Sequence, residues 1–335
     1  MRPVTIDEAA SMVLYSRAFL VRTRLAVSRL GSPLVVWAAL VITARAEMPT
    51  VPRFGAQADL VILSATAVDK NGRPVRDLRA DELRVYDEGR PQRIAHFSVA
   101  RESQARILLL VDASGSMNGE LKVSSTLMVA VQLLAAFDPQ DEVALAGFDS
   151  RYFGVVPFTR DRERIRAAFS ELAPFGSTAL HDALAKAAQD LASHGEGRRA
   201  VVVITDGIDT ASQKTADEVI ASSRALDVPI YAVSVVSPLD DPASSLFAGH
   251  ERPALATLGS ATLSRYAQMS GGAAFAVSDF KGLKGAAAQI VDELKHQYRL
   301  GYDPPEGPPH FRRVEIRATR KGVLVRTRSG YMPPS

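Results

Sequence analysis

Ile107 to Val111 and Ala200 to Ile204 are apolar without a break. Runs of this length read as strands covered on both faces, which is the mark of a mostly parallel sheet. Around them strand and helix patterns alternate. Helical periodicity is read over Glu120–Phe137, Arg162–Leu172, Thr178–Ala192, Ala216–Leu226, Leu263–Ser270 and Leu283–His296. Further strands are read at Asp141–Phe148, Tyr152–Pro157, Pro229–Val235 and Gly272–Val277. The alternation predicts an α/β, doubly wound, six-stranded sheet. The link from Phe148 to Tyr152 is too tight for a crossover, so Tyr152–Pro157 is expected to be one antiparallel edge strand.

The flanks read differently. Leu60 to Asp69 alternates loosely, and Asn71-Gly72 after it is a hairpin signal. Leu83–Tyr86 and Gln92–Val99 read as strands joined by a turn at Asp87-Glu88-Gly89. These form a β-meander of roughly 45 residues, too small to be comfortable alone. The C-terminus offers three more strands, Tyr298–Tyr302, Phe311–Thr319 and Gly322–Thr327, with a proline-rich rigid loop at 303–309. Both flanks are therefore expected to combine into one small β-sandwich-like module, with the central domain inserted in it. The divisions are a leader at 1–46, a β-rich segment at 47–104, the central domain at 105–296 and a second β-rich segment at 297–335.

Leu34 to Thr43 is an apolar run preceded by arginines and followed by Ala44-Arg45-Ala46, a small-x-small cleavage form. It is shorter than the ~20 residues of an ordinary membrane span. Residues 1–46 read as a signal peptide cleaved near Ala46-Glu47, with Met12 as an alternative start. That places the protein in the periplasm or outside the cell. An uncleaved inner-membrane anchor and a cytoplasmic amphipathic extension are the other readings.

Charge changes the picture little. The formal net charge is +3. The leader alone holds six arginines against two acids, or +4, which leaves −1 for residues 47–335. No case for nucleic acid follows. There is no cysteine, so a disulfide, a thiol nucleophile and a Cys-based zinc site are excluded.

The first apolar run ends in Asp112-Ala113-Ser114-Gly115-Ser116. Three oxygen side chains alternate there at the carboxyl edge of the sheet, where such folds bind ligands. Hard oxygens suit Mg²⁺ or Mn²⁺. Following the connectivity, the loop Phe175-Gly176-Ser177-Thr178 returns to the same edge, and Asp206 ends its strand there. Asp112, Ser114, Ser116, Thr178 and Asp206 are thus expected together. The plainer alternatives are helix caps for the first three and Thr178, and a turn for Asp206-Gly207. Asp209 reads as a solvated loop acid rather than a source of negative potential at the edge, His181 as a helix-surface or packing residue rather than a ligand contact, and the charged face of 281–295 as solvent-facing. The long connection at 237–260 leaves the same edge, either for partner selection or as an insertion.

Asp112-x-Ser114-x-Ser116, Thr178 in Gly-Ser-Thr-Ala-Leu and Asp206 in Thr-Asp-Gly resemble the metal-ion-dependent adhesion site of the von Willebrand factor type A family. The resemblance covers roughly residues 105–296. Leu83 to Gln92 and Gln297 to Tyr302 resemble the flanks of bacterial secreted relatives. The resemblance implies Mg²⁺, or Mn²⁺ or Ca²⁺, bound directly by Ser114, Ser116 and in one state Thr178. Asp112 and Asp206 would act mostly through waters. A protein partner's Asp or Glu carboxylate would complete the metal, coupled to a switch of Thr178 and Asp206 and to movement of the closing helix. The expectation is a secreted or periplasmic protein-binding module and not an enzyme. A metal-assisted hydrolase or phosphatase with Asp112 as nucleophile is the alternative, but Ser114 stands where such a motif has a second acid. No Gly-x-Ser-x-Gly elbow, no Walker loop and no placed base accompany it. The third reading is an envelope assembly factor whose metal site is not essential.

Overall fold

A computed structural model of the chain describes residues 60–99, 104–118, 120–195, 197–235, 254–277, 280–305, 307 and 309–333. The expected leader and residues 237–253 of the long connection lie outside the described residues. Among the described residues, no helix is long and apolar enough to cross a membrane.

The first flank carries β1 (Val61–Asp69), β2 (Leu83–Asp87), β3 (Arg90–Gln92) and β4 (His96–Val99). The central part opens with β5 (Ala105–Asp112), α1 (Glu120–Ala136), β6 (Glu142–Phe148), β7 (Tyr152–Thr159) and α2 (Arg162–Ser170). It continues with α3 (Leu180–Ala192), β8 (Arg198–Thr205), α4 (Ala216–Leu226) and β9 (Ile230–Val235). It closes with α5 (Ala254–Ser270), β10 (Ala274–Val277) and α6 (Phe280–Lys295). The second flank carries β11 (Tyr298–Tyr302), β12 (Arg312–Ala318), β13 (Val323–Thr327) and β14 (Gly330–Tyr331).

The central sheet has six strands in the order β10-β9-β8-β5-β6-β7. All neighbours are parallel except β6 and β7, whose antiparallel pairing starts at Phe148 opposite Tyr152. The apolar run of β5 explains its central place. Ile107, Leu109 and Val111 feed one core with α1, α2 and α6, while Leu108 and Leu110 feed the other with α3, α4 and α5. Each of these five side chains is at most 2% exposed, and full burial of one stabilises by about 1.5–3 kcal/mol.

The flanks make two four-stranded antiparallel sheets, β13-β1-β11-β4 and β14-β12-β2-β3. Both contribute to a single core that includes Leu63, Leu83, Tyr298, Leu300 and Ile316. The expected meander is not formed. Asn71-Gly72 does make a tight turn, with Gly72 at φ +76°, but only a single bridge, Val68 to Pro74, follows it. The chain then crosses to the other sheet. β1 instead lies between β11 and β13, and β2 lies between β12 and β3. Gln92–Val99, expected as one strand, is split into β3 and β4 in different sheets.

Asp87 locks these strands together. It is fully buried and accepts from the Tyr302 hydroxyl (2.8 Å), the Tyr331 hydroxyl (2.9 Å) and Arg312 Nε (2.7 Å). Burial raises the Tyr302 and Tyr331 phenols, so both stay protonated donors. On α6, Glu293 was expected to face solvent. It is fully buried, and its Oε2 pairs with Arg326 of β13 at 2.5 Å while its Oε1 accepts from Gln289 at 2.9 Å. A neighbouring strand supplies the counter-charge, which a helical pattern alone does not reveal.

Candidate metal centre

β5 delivers Asp112 to the carboxyl edge of the sheet, and the chain then turns sharply. Asp112 Oδ1 accepts from the Ser114 N–H at 2.9 Å, closing the turn. Its Oδ2 accepts from the Thr205 hydroxyl at 2.5 Å. Thr205 ends β8, the neighbouring strand, and its hydroxyl oxygen accepts from the Gly207 N–H at 3.0 Å. The turn carrying Asp206 is thereby tied to Asp112. Ser114 Oγ and Ser116 Oγ lie 3.1 Å apart. Ser114 is fully buried, whereas Ser116 is exposed.

The loop before α3 packs on this turn. Gly115 N–H donates to Gly176 O at 2.8 Å, and Phe175 N–H donates to Ala113 O at 2.8 Å. A Cβ on Gly115 would lie 3.1 Å from the Gly176 carbonyl, so glycine permits the close approach. Thr178 is 3% exposed. It lies just before α3 rather than inside it. Its N–H donates to Thr210 Oγ1 (2.9 Å) and its carbonyl accepts from Thr210 and Ala211 N–H. Segments 112–116, 175–178 and 205–211 therefore form one hydrogen-bonded unit, and the five expected residues lie on it.

The α3 terminus explains two residues that the sequence pattern underrates. Ala179 at the N-cap cannot cap the helix. The His181 N–H donates instead to Asp209 Oδ2 (3.1 Å) and Ser212 Oγ (3.0 Å). In return Asp182 accepts from the Gln213 and Lys214 N–H groups, each at 2.9 Å. Asp209 is therefore a cap supplied from a distant loop, not a solvated acid. His181 packs as expected, with Nδ1 2.6 Å from the Tyr266 hydroxyl. Behind Asp206, Gly207 and Gly259 of α5 touch. A Cβ on Gly259 would sit 2.6 Å from Asp206 O, so α5 braces the turn directly.

The electrostatics of the edge favour a cation. Asp112 is 2% exposed and its two hydrogen bonds come from neutral donors. Burial pushes its carboxyl up to about 6, and the negative charge of Asp206 acts in the same direction. A buried carboxylate in this position is what a bound cation would stabilise. Among the described residues no group of three or more His, Cys, Asp or Glu side chains gathers as a metal cluster. The donor set here is two carboxylates with hydroxyls. Such hard oxygens of low total charge fit Mg²⁺, which keeps several waters, better than a softer ion.

One residue of the edge is not singled out by the sequence pattern. Lys122, in the first turn of α1, donates from Nζ to Asp206 Oδ2 at 3.0 Å. Asp206 Oδ1 accepts from the Ile208 N–H at 3.2 Å. A lysine six residues beyond Ser116 reads as an ordinary helix-surface charge until the helix is placed.

Comparison with known proteins shows what the chain is similar to. A protein of Borreliella burgdorferi described as uncharacterized is 29% identical over 141 residues. That match covers 40% of this chain and 41% of the relative, so the chain spans less than half of that relative's length. Among solved structures, a von Willebrand factor type A protein from Catenulispora acidiphila aligns with a TM-score of 0.48 at 13% identity, covering 83% of this chain and 75% of the other. BatB from Bacteroides thetaiotaomicron aligns at 0.45 and 18%, covering 57% and 99%. Proximal thread matrix protein 1 from the mussel byssus, with a zinc-occupied MIDAS motif, aligns at 0.45 and 18%, covering 63% and 50%. Residues 107–208, which run from the apolar core of β5 past the Asp206 turn, match a family model described as von Willebrand factor type A domain.

Proposed function

We propose that this protein is an exported binding module that holds a divalent cation at the edge of its central sheet and engages a protein partner through it. The observation that supports this reading most is the hydrogen-bonded union of three separate loops that carry Asp112, Ser114, Ser116, Thr178 and Asp206. The hydroxyls of Ser114, Ser116 and Thr178 would hold Mg²⁺, and the two carboxylates would orient it. When bound, the cation supplies a positive centre that a partner's Asp or Glu carboxylate can complete. Ser116, Gly176 and Ser177 are exposed, so a partner has access to this edge.

Phe175 beside them is 80% exposed while its backbone is pinned to Ala113. A large apolar ring held out on a fixed loop suits contact with a protein surface. This reading is preferred to the hydrolase alternative because the basic groups near the site already have partners. His181 Nδ1 lies against the Tyr266 hydroxyl, and the lysine at the edge is ion-paired to Asp206.

The test is capture from an envelope extract of the source cell, with the protein in Mg²⁺ or in chelator. A partner retained in Mg²⁺, lost on chelation and lost with Ser116→Ala is expected. Binding that ignores both changes would favour an assembly factor with a dispensable site, and turnover of generic phosphate or ester substrates would restore the enzyme reading.

A further inference from the structure

We infer that Lys122 is a tethered counter-cation of this site, which holds Asp206 when no metal is bound and competes with a divalent cation for it. The inference rests on the metal-site reading above and adds how the affinity of that site is set.

Among the described residues, the pair is more buried than the lysine ion pairs Lys186–Asp190 and Lys295–Asp138. Lys186 and Asp190 are an i,i+4 pair on α3 with side chains 53% and 31% exposed, the kind of contact that contributes little. Lys122 and Asp206 join α1 to the turn after β8, and their side chains are only 16% and 9% exposed. Water screens such a pair weakly. Asp206 has both oxygens engaged, one by the Ile208 N–H and one by the Lys122 ammonium. A cation drawing on the second oxygen, directly or through water, must push the ammonium aside or share the carboxylate with it. Sharing brings positive charges together in a partly buried space.

The arrangement has consequences in both states. Without metal, the ammonium offsets one of two neighbouring carboxylates, so the edge keeps its shape. With metal, the same ammonium opposes the incoming charge. Lys122 therefore steadies the empty site and weakens the loaded one. Loading then depends on a high external divalent concentration or on a partner whose carboxylate adds the missing negative charge.

The experiment titrates full-length protein with MgCl₂ and MnCl₂ by calorimetry and records melting temperatures in chelator. Lys122→Gln keeps a donor for Asp206 without the charge, and Lys122→Met removes both. Lys122→Arg keeps the charge, and Lys186→Met removes a lysine charge elsewhere. The expected result is metal binding tighter by on the order of tenfold for Lys122→Gln and Lys122→Met, with a lower melting temperature in chelator. Lys122→Arg and Lys186→Met should bind as the unaltered protein does. Binding only by the two neutral variants at position 122 would also support the proposal. If the unaltered protein binds metal and both neutral variants bind it equally or more weakly, the proposal falls and the metal site stands. If no form binds up to about 10 mM, beyond the weak range of extracellular divalent sites, both readings fall.

Discussion

Asp112→Asn is expected to abolish the stabilisation of the protein by Mg²⁺ while leaving the chelated protein folded at pH 7.5. The asparagine keeps an acceptor for the Ser114 N–H, and its amide NH₂ turns toward the Thr205 hydroxyl oxygen, which has a second lone pair. What disappears is the buried charge, together with the acceptor of the Thr205 hydroxyl proton. For a protein saturated at about 100 times its Kd, bound metal contributes about 2.7 kcal/mol of stability. That increment should be present in the unaltered protein and absent in the variant. The pH dependence in chelator separates the two further. The folded carboxyl of Asp112 is pushed up to about 6 by burial, against about 3.9 in the unfolded chain. A raised folded value means the native state binds the proton more tightly, so its contribution to stability is full below about pH 4 and is lost as pH rises through about 6. The variant should lack that fall. Thermal melts from pH 4 to 8, with and without Mg²⁺, check both effects. A variant that still gains stability from Mg²⁺ would remove Asp112 from the site.

Asp87→Ala is expected to destabilise the protein by about 3–5 kcal/mol, the size associated with leaving one member of a buried charged network unpaired. Three donors converge on this carboxylate from β11, β12 and β14, while Asp87 itself ends β2. The alanine would strand the Arg312 guanidinium, whose side chain is 8% exposed, beside two buried phenols. Because the network joins both flanks of the chain, the loss should appear as early hydrogen exchange in β2, β11 and β12, ahead of β5 and β8. Urea denaturation gives the magnitude. A change below about 1 kcal/mol would mean that the arginine and the phenols find other partners, and that hydrophobic packing alone joins the flanks.

The two halves of the fold were not equally legible. In the central sheet the inner strands β5 and β8 are apolar on both sides, so Ile107–Val111 and Ala200–Ile204 announce themselves. α4 agrees at both ends because local signals fix it: Thr215 and Glu218 form a capping box and Asp227 closes in the left-handed region. In the flanks the strands were visible but their neighbours were not. Asn71-Gly72 fixes a turn, whereas the choice of β11 and β13 as partners of β1 is made by the shared core. The five candidate residues could be singled out because they sit at element ends whose direction follows from connectivity. Asp209, Glu293 and Lys122 were misjudged or passed over for one reason. Each is a charged residue in a locally ordinary setting, and its partner comes from an element distant in sequence. Local pattern reports where a charge lies, but only packing reports what it faces.

The most direct test of the account is the anomalous difference map of crystals grown with Mn²⁺. A single peak is predicted at the carboxyl edge of the central sheet, within about 2.5 Å of the Ser114 and Ser116 hydroxyl oxygens. Asp112 and Asp206 should lie around it. Saturating Mn²⁺ that leaves no peak there, or that places one elsewhere on the chain, would contradict the account.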